Sequence, residues 1–261
     1  MKNIFLLFFL SGLILVANGQ AEKLDGNVLL TSECNKTQVF TNKNGELHVN
    51  VSPADVAKFN ASGVVQYSDF GAVGDGETDD IDAIAATHAF ANHHDLRVKA
   101  NEGATYYIGG KERTAVIQTD TDFGTADFII DDTNVENRKA NVFKVVSSLK
   151  SFQPQGISSL KRNQKKIDVS LPGRCIVAVK NSSKKRYIRY GRNQNNGSPQ
   201  TDIFIVDKDG HVDMDAPIIW DFDQITDITA IPVDEDTLII TGGYFTTIAN
   251  KAESKYTYYS R

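Results

Sequence analysis

The 261-residue chain sets 28 Lys and Arg against 33 Asp and Glu, for a formal charge of -5 and a pI of about 5.6. That balance argues against nucleic acid as a general partner, and the ordinary apolar and charged content excludes a disordered chain. The length allows one sizeable core, or a large domain with a smaller one.

Residues 1–19 read as a secretory signal peptide. Lys2 gives a short positive start, residues 4–16 are apolar apart from Ser11 and Gly12, and Ala17-Asn18-Gly19 supplies small residues for cleavage. The apolar run falls short of the roughly 20 residues that span a membrane, although an uncleaved anchor is the competing reading. No second run is long enough to span. The mature chain is therefore expected to be secreted, periplasmic or at the cell surface, with no stable membrane span. Export makes a disulfide between Cys34 and Cys175 chemically possible; two independent buried thiols are the other reading.

Residues 20–63 form a leader. Short apolar runs at 28–30, 38–40 and 47–49 predict strands, Asn44-Gly45 a hairpin turn, and Ser52-Pro53 a helix start. A dense block follows. Tyr67 to Phe70 reads as a strand end, and Gly71, Gly74 and Gly76 as turn positions with positive φ. Thr78, Asp79 and Asp80 supply N-capping oxygens for a helix whose Ile81, Ile84, Ala85, His88 and Ala89 share one face. Further strands are expected at 96–99, 105–108, 116–118, 128–130 and 142–146. Short strands separated by Gly and Asp turns predict an all-β domain.

The block Asp69-Phe70-Gly71-Ala72, then Gly74-Asp75-Gly76 through Thr78-Asp79-Asp80 and a helix carrying Ala83-Ile84, resembles the entry motif of the pectate lyase superfamily. That resemblance implies a single-stranded right-handed parallel β-helix with an N-terminal capping helix. It implies that Asp69, Gly71, Asp75, Gly76, Thr78, Asp79 and Asp80 are a structural motif rather than a catalytic site. Residues 100–106 read A-N-E-G-A-T-Y, without the family's usual proline. The resemblance is strongest over residues 65–107, and the family includes polysaccharide lyases, glycoside hydrolases, phage tailspikes and surface proteins. Its catalytic groups sit on later coils, so no catalytic residue transfers to this chain. Residues 64–150 are expected to hold the entry motif, helix and first coils.

Residues 151–223 read as a β-rich insertion. It carries basic tracts at 161–166 and 184–192, a polar loop at 193–199, and a hairpin turn at 207–210. The basic tracts fit either solvated strands or a surface for an anionic polymer. Asp207, Asp209, Asp213 and Asp215 lack the spacing of an EF-hand, which favours solvated turn carboxylates. Calcium stays open without support, and neither a cofactor nor a metal site is expected. The sole Trp beside two carboxylates, Trp220-Asp221-Phe222-Asp223, is the best carbohydrate-contact candidate, weighed against a buried Trp with surface acids. Residues 224–261 are expected to add further coils at 227–231, 237–243 and 244–250. No closing element follows Tyr259, so the solenoid is expected to be C-terminally truncated or shielded by another chain.

Taken with the resemblance, these features imply an exported carbohydrate-active protein acting in polysaccharide degradation by hydrolysis or β-elimination, this chain being its N-terminal part. The alternatives are a non-catalytic glycan-binding or surface-attachment module, or a defective gene product. The expected partner is a polysaccharide, and the basic tracts allow an anionic one.

Overall fold

The computed structural model describes residues 21–24, 28–135, 137, 140–187 and 197–250. The proposed signal peptide, the polar loop at 193–196, most of the second basic tract and the Tyr-rich end lie outside the described residues. In chain order the strands are β1 (Glu22–Leu24), β2 (Val28–Thr31), β3 (Gln38–Thr41), β4 (Leu47–Asn50), β5 (Val64–Gln66), β6 (Asp75–Asp79), β7 (Arg97–Lys99), β8 (Thr105–Ile108) and β9 (Ala115–Ile117). There follow β10 (Thr121–Asp122), β11 (Asp127–Asp131), β12 (Phe143–Val145), β13 (Cys175–Tyr187), β14 (Ser198–Val206), β15 (Asp227–Pro232), β16 (Ile240–Thr241) and β17 (Tyr244–Ile248). Helix α1 (Pro53–Ser62) precedes β5, and α2 (Ile81–His94) follows β6. Two compact units emerge, one from residues up to 145 together with those from 238, the other from residues 146–237.

In the first unit, β1, β2, β4 and β3 form a mixed sheet, with the predicted Asn44-Gly45 turn closing β3 onto β4. Ser52 caps α1 by accepting the Asp55 amide, Pro53 occupies the first turn, and Gly63 ends the helix in the left-handed region. Beyond α1 the strands stack in parallel columns: β5–β7–β10–β16, β6–β8–β11–β17 and β9–β12. Register carries side chains of like kind above one another. Tyr106, Phe128 and Phe245 pair across β8, β11 and β17; the Phe128 and Phe245 rings stack with centroids 4.8 Å apart, and Tyr106 lies tilted on Phe128 at 5.2 Å. Tyr67, Phe123 and Phe143 meet this column edge-on, the geometry that ring quadrupoles favour.

Helix α2 departs from the one-faced helix expected of it. Every residue from Ala83 to Ala91 is buried, because the leader strands β2, β3 and β4 pack on it as well as β5, β7 and β9. Its many Ala side chains allow that double approach. His88 is fully buried. Its Nε2 lies 2.9 Å from the Tyr67 hydroxyl, and burial lowers its pKa to about 3.

The second unit centres on an antiparallel sheet, β14–β13–β15, over a core of Cys175, Val177, Val179, Phe204, Phe222, Ile218 and Leu160. The Asp207–Gly210 turn bends the chain back so that Val212 bridges Val206. Residues 227–231, expected as a coil strand, instead lie in β15 and pair antiparallel with β13 from Asp227↔Lys180 to Pro232↔Cys175. A short apolar run specifies a strand but not its partner, and β13 is long enough to hold one neighbour on each side. The structure is mostly β, with short and mixed sheets. Cys34 and Cys175 are both free thiols, Cys175 buried. Among the described residues, no helix is long and apolar enough to cross a membrane.

Candidate carbohydrate-contact surface

Asp69, Gly71, Thr78, Asp79 and Asp80 of the entry block line one shallow depression, along with Thr37 and Gln38. Each carboxylate there already has a task. Tyr67–Phe70, expected as a strand end, is a 3-10 turn, and Asp69 accepts the Gln66 amide at its start. Asp75 accepts the Glu77 and Thr78 amides and the Thr78 hydroxyl, and these bonds, Thr78's foremost, hold its carboxyl below the usual range. The predicted capping is corrected in detail. Thr78 and Asp79 belong to β6, from whose end the Asp79 carboxylate accepts the Ile81 amide at 3.3 Å, and Asp80 occupies the cap position without a capping bond. Its carboxylate instead accepts the Val73 and Gly74 amides at 2.7 Å and 3.0 Å, closing the glycine turn beneath it. Burial raises its pKa despite those bonds. Gly74 has φ +68, and a Cβ there would stand 2.9 Å from that of Ala104, so the turn requires glycine twice over.

Asp82 binds Lys111 Nζ at 2.9 Å and Arg113 Nε at 3.0 Å. Burial raises its carboxyl, but the two cations outweigh that and hold it below the usual range. The loop aspartates of the second unit are likewise engaged. Asp207 accepts the Asp209 and His211 amides, and Asp213 accepts the Asp215 amide and Arg174. Among the described residues, no three His, Cys, Asp or Glu side chains converge as a metal site.

Trp220, Asp221 and Asp223 lie in the second unit on an irregular segment rather than a strand, and only Phe222 bridges across, to Leu160. Phe222 is buried while Asp221 and Asp223 are exposed, so the two carboxylates face solvent together. Trp220 keeps 36% of its surface exposed, which corrects the buried-Trp alternative. The Arg186 guanidinium lies 3.8 Å from the centre of the indole, a cation–π stack. Asp223 reaches Lys161 at 3.7 Å and Lys184 at 4.0 Å, and Asp221 accepts the Arg162 amide at 2.9 Å.

Two residues that the sequence reading missed hold this segment in place. Asp202, on β14 and nearly inaccessible, accepts the Ile219 amide at 2.9 Å and the Trp220 amide at 3.3 Å. Gln200, fully buried two residues earlier on the same strand face, donates to the Asp221 carbonyl at 2.9 Å. The period-two pair Gln200 and Asp202, polar among the apolar residues of β14, was the available signal. The basic tracts were read as separate from the Trp segment, yet Lys161, Lys184 and Arg186 all converge on it. Such a surface can stack on an apolar sugar face, bond hydroxyls through its carboxylates and attract negative charge through its cations.

No family model matches the chain, and no curated protein matches it. Among solved structures it is similar to the Gp54 tailspike of Acinetobacter baumannii bacteriophage AP22, in complex with A. baumannii capsular saccharide. The identity is 12% and the TM-score 0.39, over 82% of this chain and 32% of the tailspike chain. The chain thus spans about a third of that protein's length, and similarity this low carries nothing over to it.

Proposed function

We propose that this is an exported glycan-binding protein that holds polysaccharide on the Trp220 surface. The observation that carries the reading is an exposed indole whose backbone is fixed by buried Asp202 and Gln200, ringed by Arg186, Lys161, Lys184, Asp221 and Asp223. A preorganised aromatic ring with polar neighbours loses little entropy on meeting a sugar. For the first unit we propose a right-handed parallel β-helix, a reading supported by its three parallel columns, its column of aromatic rings and the entry motif. The second unit is then an insertion in the sequence between β12 and β16. Removal of residues 1–19 on export, and a secreted, periplasmic or surface location, belong to the same proposal. Binding is preferred to catalysis because Asp221 is engaged by the Arg162 amide and the resemblance carries no catalytic residue to these positions. Polysaccharide degradation by hydrolysis or β-elimination stays attached to the family resemblance and its later coils.

The test is binding of the purified mature chain to a panel of immobilised polysaccharides, beside Trp220→Ala. We expect the variant to lose affinity about tenfold or more, roughly 1.4 kcal/mol, with an unchanged melting profile. Equal binding by both proteins would sink the proposal. Reducing ends or unsaturated uronates released from the panel would replace binding with degradation.

A further inference from the structure

The Trp220 surface gathers positive charge on a chain of net charge -5. Lys161 comes from the segment before Asn163, Lys184 and Arg186 from β13, and Asp223 from the segment after Phe222. Residues this distant in sequence meet only through the fold, so the cluster is not a solvated run of like residues. Its cations are poorly neutralised. Among the described residues no carboxylate lies within ion-pair distance of Arg186, and Asp223 is the one anion serving both lysines. At 3.7 Å and 4.0 Å Asp223 stands well outside the 2.7–2.9 Å of a closed charge-assisted bond. Its side chain is 77% exposed, so both pairs are weak and readily replaced.

We propose that Asp223 is a resident stand-in for the anionic group of an acidic saccharide. One sugar ring rests on the exposed part of the indole, and the carboxylate or sulfate of the saccharide takes the place of the Asp223 carboxylate between Lys161 and Lys184. The exchange is one anion for another, with no covalent step. Asp223 thereby competes with the acidic group it stands in for, while Lys161 and Lys184 set the preference for acidic over neutral chains. This inference rests on the glycan-binding reading of the same surface and adds its ligand class.

The experiment measures affinity for neutral, carboxylated and sulfated oligosaccharides of matched length with the wild type, Asp223→Asn, Lys161→Ala/Lys184→Ala and Asp209→Asn. Asp209 sits in the exposed turn before Gly210 and controls for a general change of charge. We expect Asp223→Asn to bind the acidic ligands about threefold more tightly, the scale of an exposed ion pair, and neutral ones unchanged. The double lysine variant should lose the preference for acidic ligands while retaining neutral binding. A stronger carboxylated than sulfated arm identifies a uronate-type ligand, and the reverse a sulfated one. Unchanged or weaker acidic binding by Asp223→Asn, or an equal gain by Asp209→Asn, overturns the exchange while leaving glycan binding intact. Absence of binding to all three ligands by the wild type overturns the glycan reading and the exchange with it.

Discussion

Residues 69–80 and residues 220–223 are both rich in Asp, and they differ in where the carboxylates end. In the first passage they end on the chain itself: Asp69 on the Gln66 amide, Asp75 on Glu77 and Thr78, Asp80 on Val73 and Gly74. In the second, Asp223 ends on two exposed lysines beside an exposed indole. Backbone amides need an acceptor once they leave water, so a carboxylate that meets them is fixed by the fold. A carboxylate held only by mobile surface cations can be exchanged. The partner, not the density of Asp, separates architecture from a contact surface.

The largest expected effect lies in the interior behind the first passage. His88 takes up a proton near pH 6.5 when unfolded and only near about 3 when folded. The unfolded state therefore binds the extra proton within that window. Stability is full above pH 6.5 and falls by about 1.4 kcal/mol per pH unit as pH drops, levelling off near a loss of about 5 kcal/mol below pH 3. His94, lowered mainly by burial, acts in the same direction. Amide exchange of α2 between pH 7 and pH 5, compared with His88→Gln, isolates the His88 share as about 2 kcal/mol. Parallel profiles for the two proteins would remove His88 from the account.

Asp80→Ala tests the inward carboxylates directly. It strands the Val73 and Gly74 amides, and the first unit should lose about 3 kcal/mol in urea unfolding. Glycan affinity should stay unchanged. A loss of binding without a loss of stability would reverse the contrast between the two passages.

What the sequence disclosed follows the range of each interaction. Asn44-Gly45, Ser52-Pro53 and the 207–210 turn were legible because their bonds close within a few residues. The strands of the first unit were legible as strands, and their parallel pairing beyond α1 agrees with what the entry motif led one to expect of pairing alone. The pairing of β15 with β13 was not, because it joins segments about fifty residues apart by register alone. The same limit hid the candidate site. Trp220, Asp221 and Asp223 could be named from their text, whereas Arg162, Lys161, Lys184 and Arg186 reach them only after the sheet has formed. Helix α2 showed one apolar face in sequence, and its Ala residues gave no sign that a second layer would cover the other.

Asp202 joins the two behaviours and gives the smallest, most discriminating stability test. Like Asp80 it is buried and accepts amides; unlike Asp80, the amides are those of Ile219 and Trp220, on the contact surface. Asp202→Ala should cost the second unit about 2 kcal/mol and also weaken glycan binding, because the indole loses its fixed backbone. Asp202→Asn keeps one acceptor oxygen and should recover much of both. Trp220→Ala should remove binding while leaving stability within about 0.5 kcal/mol, the range for exposed positions. The three variants thus separate a ring that touches the ligand from a carboxylate that aims the ring. If Asp202→Ala binds as tightly as wild type, the clamp serves the fold alone, and Asp202 belongs with the carboxylates of the entry block.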